Sequence, residues 1–262
     1  ARLQASIPFR PRSSRAVSGQ VMSFRNSVVI VASPRPRVGK TLLARLLTDF
    51  QRHENRTVAA FDVNSGERGL IQFLPEQTVA ATIRDVNGQM ALFDRLVAGD
   101  DTTKIVDLGH DSYESFIGLA NQIDFVEEAR RRSIAVALLF MVTPDQTSVA
   151  AYRSLRERFA QALLVPVHNE ILGSSQHRDK YPVAGGGAVS MRMPVLAPGL
   201  RKYIDTPPFS FAGPDMSNAV GIPLDAHIEL QRWLRRIYLE FREIDLRLLL
   251  ADLQTSMRSS GL

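Results

Sequence analysis

Residues 27–47, SVVIVASPRPRVGKTLLARLL, decide how the whole chain is read. They open on a continuous apolar run, Val28-Val29-Ile30-Val31-Ala32, rich in β-branched residues. A run without polar alternation suits a strand buried on both faces of a parallel sheet. They close on Leu42, Leu43, Leu46 and Leu47, spaced to turn one helix face toward a core. Between them stands Val38-Gly39-Lys40-Thr41. Strand, short loop, Gly-Lys-Thr and helix is the arrangement of a phosphate-binding loop. N–H groups at the helix start point at an anion, and the helix dipole adds partial positive charge. The cradle would run from Val38 to Leu42, with Lys40 supplying a point charge to the outer phosphates and the Thr41 hydroxyl ligating Mg²⁺.

The front of this loop departs from the standard spacing. Pro34 stands where a glycine is usual, five residues before Gly39, and Pro36 and Arg37 fill positions usually held by small residues. Neither proline has an N–H to offer a phosphate. Two readings stay open: a loop that binds and turns over nucleotide, and a strand–turn–helix that no longer does so.

Length and composition narrow the setting. At 262 residues, 45% hydrophobic and 23% charged, the chain fits an α/β domain with ample material for a core. No apolar run reaches the ~18 residues of a membrane span. The absence of cysteine excludes disulfides, thiolate metal sites and cysteine nucleophiles, and fits a reducing, cytoplasmic setting. The net charge of +5 is concentrated at the front, where residues 1–25 carry Arg2, Arg10, Arg12, Arg15 and Arg25 and no acid. The remainder holds 27 basic against 27 acidic residues, so the folded body shows no basic footprint for nucleic acid.

Working outward, residues 1–21 read as a disordered basic extension, residues 22–212 as the nucleotide-binding domain, and residues 213–262 as a helical extension. A second strand is expected at Val58-Ala59-Ala60-Phe61, leading into Asp62-Val63-Asn64, and another, short and apolar, at Lys104 to Gly109 with Asp107 near its end. Residues 78–99 show short helical patterns, and residues 112–132 read as one helix closed by three arginines, which suit a solvated helix end. The strongest strand is Ile134 to Val142. Leu163 to Val167 forms another, ending at His168-Asn169; Met191 to Leu196 forms a last one, followed by a helix near 198–205. Residues 173–188, with Gly185-Gly186-Gly187, read as a mobile loop and form no dinucleotide fingerprint.

From Pro223 to about Gln254 an amphipathic helix is expected. Ala226, Leu230, Trp233, Leu234, Ile237, Phe241, Ile244 and Leu248 share one stripe, which Leu246, Leu249, Leu250 and Leu253 widen. That stripe could pack on the domain, on a protein partner or on a second copy; a polar face mixing acids with arginines argues against a membrane surface. Strands alternating with helices predict a doubly wound, mostly parallel sheet, whose sites lie beyond the strand C-terminal ends. Gly39-Lys40-Thr41, Asp62, Asp107 and Asn169 all fall there.

On these residues the chain resembles the ParA/MinD family of P-loop ATPases over roughly residues 26–206. The loop before Thr41 sits where that family has its deviant Walker A motif. Asp62-Val63-Asn64 is similar to its Asp-x-Asp after the second strand, Ile105-Val106-Asp107 to its Walker B strand, Thr143 to Ser148 to its next turn and helix start, and Met193-Pro194-Val195-Leu196 to its late strand. The resemblance implies ATP and Mg²⁺ as cofactors and a nucleotide-dependent homodimer or partner switch. Arg35 stands where the family usually has a lysine able to reach a partner subunit's phosphates; it would keep the charge or simply face solvent. Asn64 replaces the family acid that positions the attacking water, and can orient a water without carrying charge, so hydrolysis is expected to be slow at best. Asp107 would hold Mg²⁺ with Thr41, Asp62 would assist or serve as a turn residue, and Asn169 would bond the adenine edge or form a turn. The alternative is a degenerate P-loop fold acting as a non-catalytic scaffold. A small-molecule kinase would need an acceptor pocket that no residue set identifies. The five histidines form no metal-ligand pair, and no GxSxG elbow is present.

Overall fold

The computed structural model describes residues 26–64, 69–173, 179–183, 189–213 and 221–259, with side chains described as far as Leu250. Residues 1–21, expected to be a disordered extension, lie outside this range.

Seven strands form one all-parallel sheet: β1 (Ser27–Ala32), β2 (Val58–Val63), β3 (Thr78–Ala80), β4 (Thr103–Leu108), β5 (Ala135–Met141), β6 (Leu163–Asn169) and β7 (Met191–Met193). Their order across the sheet is β3-β2-β4-β1-β5-β6-β7. All six residues of β1 are buried, as its unbroken apolar sequence requires.

The helices cover both faces. On one lie α1 (Lys40–His53), α2 (Leu70–Phe73), α7 (Pro198–Ile204) and the C-terminal α8 (Leu224–Ser259); on the other lie α3 (Val86–Leu96), α4 (Tyr113–Gln122), α5 (Phe125–Arg131) and α6 (Gln146–Arg158). Alternate strand residues feed the two cores. Val29, Val31 and Ile105 join α1 and α8, whereas Val28, Ile30 and Val106 join α3 to α6. This is the doubly wound, parallel α/β architecture expected from the sequence.

The stripe of α8 is part of the domain's core. Leu230, Trp233, Leu234, Ile237, Phe241, Ile244 and Leu248 are buried, and the rings of Tyr238 and Phe241 lie 5.2 and 5.3 Å from that of Phe50 in α1. The widening leucines differ: Leu246 and Leu250 are exposed, and Leu253 lies beyond the described side chains.

Four local expectations need correction, the first being the last strand, which stops at Met193, short of Leu196. Residues 78–80 form an edge strand paired with β2, ahead of the helix at 86–96. The helix over 112–132 is two helices, broken where Asp124 adopts φ 50°, a left-handed conformation that aspartate tolerates better than most residues. Within 173–188, residues 174–178 and 184–188 lie outside the described range, but Tyr181 is anchored: it is buried among Phe140, Tyr152 and His168, and its hydroxyl donates to the Thr143 carbonyl.

Candidate functional site

The connection leaving β1 runs over one face of the sheet through α1, and that leaving its neighbour β4 runs over the other through α4 and α5. Connections diverging to opposite faces leave a crevice beyond the strand C-terminal ends. The loop Ser33–Gly39 and the end of β4 line that crevice.

Two loop residues are left-handed, Arg37 at φ 57° and Gly39 at φ 97°. A left-handed backbone costs an L-residue roughly 1–2 kcal/mol. At Gly39 space is tight as well: a Cβ would stand 3.0 Å from Asn169 Nδ2 and 3.2 Å from Met193 Cε, so both side chains would have to give way. The loop therefore turns tightly into α1, whose first intrahelical bond runs from Leu43 N–H to the Gly39 carbonyl at 3.0 Å. The amides of Gly39, Lys40, Thr41 and Leu42 precede that bond, and the helix has neither a side-chain cap nor an acid in its first turn. Such an end is electrostatically suited to an anion. Pro36 is exposed and lines the opening beside Gly39 and Lys40, and the Arg35 N–H is held by Ser33 Oγ at 3.3 Å.

Lys40 is 7% exposed and reaches back along the loop, donating from Nζ to the Arg35 carbonyl at 2.7 Å. Burial lowers its pKa, against the opposing pull of Asp107 and Asp111. A buried ammonium at the edge of a cradle of amides gains most from a polyanion.

Opposite the helix start, strand register sets two acids abreast, with Asp62 of β2 paired to Asp107 of β4. The Thr41 hydroxyl donates to Asp107 Oδ2 at 2.7 Å. Asn64 bridges the acids, its Nδ2 lying 2.8 Å from Asp62 Oδ1 and 3.0 Å from Asp107 Oδ2. Both oxygens of Asp62 serve its own loop, Oδ1 accepting from Asn64 N and Oδ2 from Ile71 N. This packing requires glycine at 69, where a Cβ would meet Asp62 Oδ2 at 2.0 Å. Asp107 is fully buried, and its Oδ1 has no hydrogen-bond partner among the described residues. Burial pushes its pKa up to about 7, with Asp62 adding to the rise and the Thr41 hydroxyl opposing it. An orphaned buried carboxylate oxygen beside a threonine hydroxyl is a donor set that fits Mg²⁺, which takes one or two carboxylates together with phosphate oxygens. No group of three or more His, Cys or acidic residues able to hold a metal by itself occurs among the described residues.

Arg35 lies at the front of the loop and is tied within its own chain. Its Nε and Nη2 donate to Asp145 Oδ1 at 3.0 and 2.5 Å. The guanidinium holds the Asp145 carboxyl well below the usual carboxylate range, and Asp145 also caps α6 through Ser148 N. Asn169, at the end of β6, donates from Nδ2 to the Val38 carbonyl at 3.0 Å and accepts at Oδ1 from Ile171 N. It thus braces the back of the loop while lining the crevice.

The crevice opens into a cleft of about 740 Å³, within the usual range for small-molecule sites. Gly39, Lys40, Thr41, Leu42, Asn64 and Asn169 line it, so six of the residues expected from sequence converge there. Asp107 stands behind Thr41; Asp62 and Arg35 are turned to their own partners. Sequence reasoning did not place Met193, Pro194, Leu196, Arg201, Ile204, Asp205 or Trp233 in the cleft, which they also line. Trp233 lies forty residues beyond Met193 in the chain, and helical periodicity assigns it only to the core stripe.

No family model matches the chain, and no curated protein matches it in sequence. Among solved structures it is similar to the MinC:MinD cell division protein complex of Aquifex aeolicus, with a TM-score of 0.47 and 15% identity over 80% of this chain and 95% of that one. It is also similar to the MinD cell division protein of the same organism (TM-score 0.42, 16% identity, 80% and 96% covered). A third is a nucleotide-binding protein of Archaeoglobus fulgidus solved in complex with ADP (TM-score 0.41, 11% identity, 69% and 86% covered).

Proposed function

We propose that this chain binds ATP with Mg²⁺ in the cleft at Gly39-Lys40-Thr41, and that occupancy governs its association with a second copy or a protein partner, with slow hydrolysis resetting the state. The observation that carries the reading is the pairing of an uncapped, acid-free helix start with the buried Thr41–Asp107 contact and the orphaned Asp107 Oδ1. The amides from Gly39 to Leu42 would hold the phosphates and Lys40 would exchange its bond to the Arg35 carbonyl for a phosphate oxygen. Thr41 and Asp107 would hold Mg²⁺, which supplies charge neutralisation to the outer phosphates. Asn64, with its N–H groups on Asp62 and Asp107, would present only its carbonyl oxygen to a water. Arg35 would have to leave Asp145 to reach a ligand or a second subunit.

The same Asn64 contacts favour a second reading, a binding module without turnover. An uncharged amide already engaged by two acids is a weak positioner of a nucleophile.

Calorimetric titration of ATP and ADP with Mg²⁺, on the wild type and on Lys40→Ala, tests the reading. Binding that Lys40→Ala weakens at least tenfold, together with phosphate release, supports an ATPase. Binding without release supports the module. Failure of the wild type to bind either nucleotide overturns nucleotide binding and leaves the degenerate, non-catalytic scaffold standing. Sedimentation with ATP, repeated on Arg35→Ala, tests association: a dimer that this variant abolishes assigns the crossing role to Arg35, and an unchanged dimer rejects it.

A further inference from the structure

Beside Asn169 the cleft carries an apolar wall, Met193, Pro194, Leu196 and Trp233, with Arg201 and Asp205 also lining it. A bare polyphosphate has no use for such a wall; a nucleotide carries a planar base that does. Resting on the nucleotide reading above, we propose that the C-terminal helix is part of the ligand site. Trp233 is the positioning residue that fixes the base-side wall and gives the cleft its preference for a nucleotide over inorganic polyphosphate.

The wall needs an external brace. Residues 194–196 belong to neither element: they connect the end of β7 at Met193 to Ala197, whose carbonyl accepts from Leu200 N–H at the start of α7. The Trp233 indole N–H donates to the Pro194 carbonyl at 2.9 Å, holding that stretch from α8. A second tie from the same helix runs from Arg192 N–H to Glu240 Oε2 at 3.0 Å. Trp233 itself is 6% exposed, with its ring 6.2 Å from that of Phe211, so its position is set by the core. One side chain therefore both lines the cleft and sets the height of its neighbouring wall.

The test compares Mg²⁺-ATP with Mg²⁺-tripolyphosphate by calorimetry, on the wild type and on Trp233→Phe, which keeps the apolar bulk and removes the donor. The wild type should bind ATP more tightly than tripolyphosphate. Trp233→Phe should lose about five- to tenfold for ATP, the scale of one net hydrogen bond, with tripolyphosphate affinity unchanged. Trp233 is the only tryptophan in the chain, so wild-type fluorescence should change with ATP and not with tripolyphosphate. Equal losses for both ligands, or no loss for ATP, overturn the positioning role. Equal wild-type affinity for both overturns the base-side wall and leaves the phosphate loop standing. Binding of neither ligand by the wild type removes the phosphate loop as well.

Discussion

The Thr41 hydroxyl donates to Asp107 Oδ2 at 2.7 Å, fastening the first turn of α1 to the end of β4. This contact occupies one carboxylate oxygen and leaves the other without a partner among the described residues. Thr41→Ala should therefore fold normally yet lose most of the gain in ATP affinity that Mg²⁺ gives, roughly tenfold or more. Thr41→Ser, which keeps the hydroxyl, should restore it. Titrations in Mg²⁺ and in chelator make the comparison; an alanine variant that keeps the full Mg²⁺ effect removes Thr41 from the metal site.

The raised pKa of Asp107 fixes the sign of a pH effect on the metal-free protein. The native state holds the proton up to about pH 7, whereas an unfolded aspartate releases it near 3.8. Between those values the native state binds more protons, so stability should fall as pH rises through that window and level off above it. The groups facing Asp107 are Asp62, Lys40, Thr41 and Asn64. Asp107→Asn should remove this slope and leave the metal-free protein more stable at pH 8 by about 2–4 kcal/mol, the order expected from the size of the shift. Denaturant midpoints across pH 4–8 read it directly.

Asn64 is a neutral bridge between two acids. Asn64→Asp would place a third carboxylate 2.8–3.0 Å from the other two. Without metal it should cost about 1–3 kcal/mol, a lost buried hydrogen bond plus like-charge repulsion. Mg²⁺ should recover part of that loss while doing little for the wild type. Melting with and without Mg²⁺ decides, and an Asn64→Asp protein as stable as the parent without metal would contradict the bridge.

Gly39 is constrained twice, by its φ of 97° and by Asn169 Nδ2, which would stand 3.0 Å from an added Cβ. Gly39→Ala should destabilise by about 1–3 kcal/mol and weaken phosphate binding more than it weakens the fold, because the amide cradle is what shifts. Parallel measurement of unfolding and tripolyphosphate affinity separates the two effects.

The sheet and the cradle were legible because both are written in short contiguous stretches: an unbroken apolar strand, a glycine before a lysine, an acid at a strand end. What stayed hidden depends on distant partners. A three-residue edge strand such as Thr78–Ala80 is too short to show alternation. Arg45 and Asp49 look like the solvent face of α1, yet both are buried. Arg45 donates to the Ile204 carbonyl at 2.8 Å with its guanidinium 3.7 Å over the Phe73 ring, and Asp49 accepts from Phe211 N at 2.6 Å. The segment that covers α1 from outside is over 150 residues away in the chain, so local periodicity carries no trace of it. Asp62 was equally opaque: its partner Ile71 lies across a loop, and nothing in Asp-Val-Asn says that both carboxylate oxygens face inward.

An all-parallel sheet gathers the C-terminal ends of its strands on one rim, beside the cleft. On the other rim Lys104 is clasped by Asn26 and Asp100. Dyes, tethers or surface attachments placed along that rim would sit a full strand length from the cleft, making it the natural handle for immobilising the molecule with its working side open.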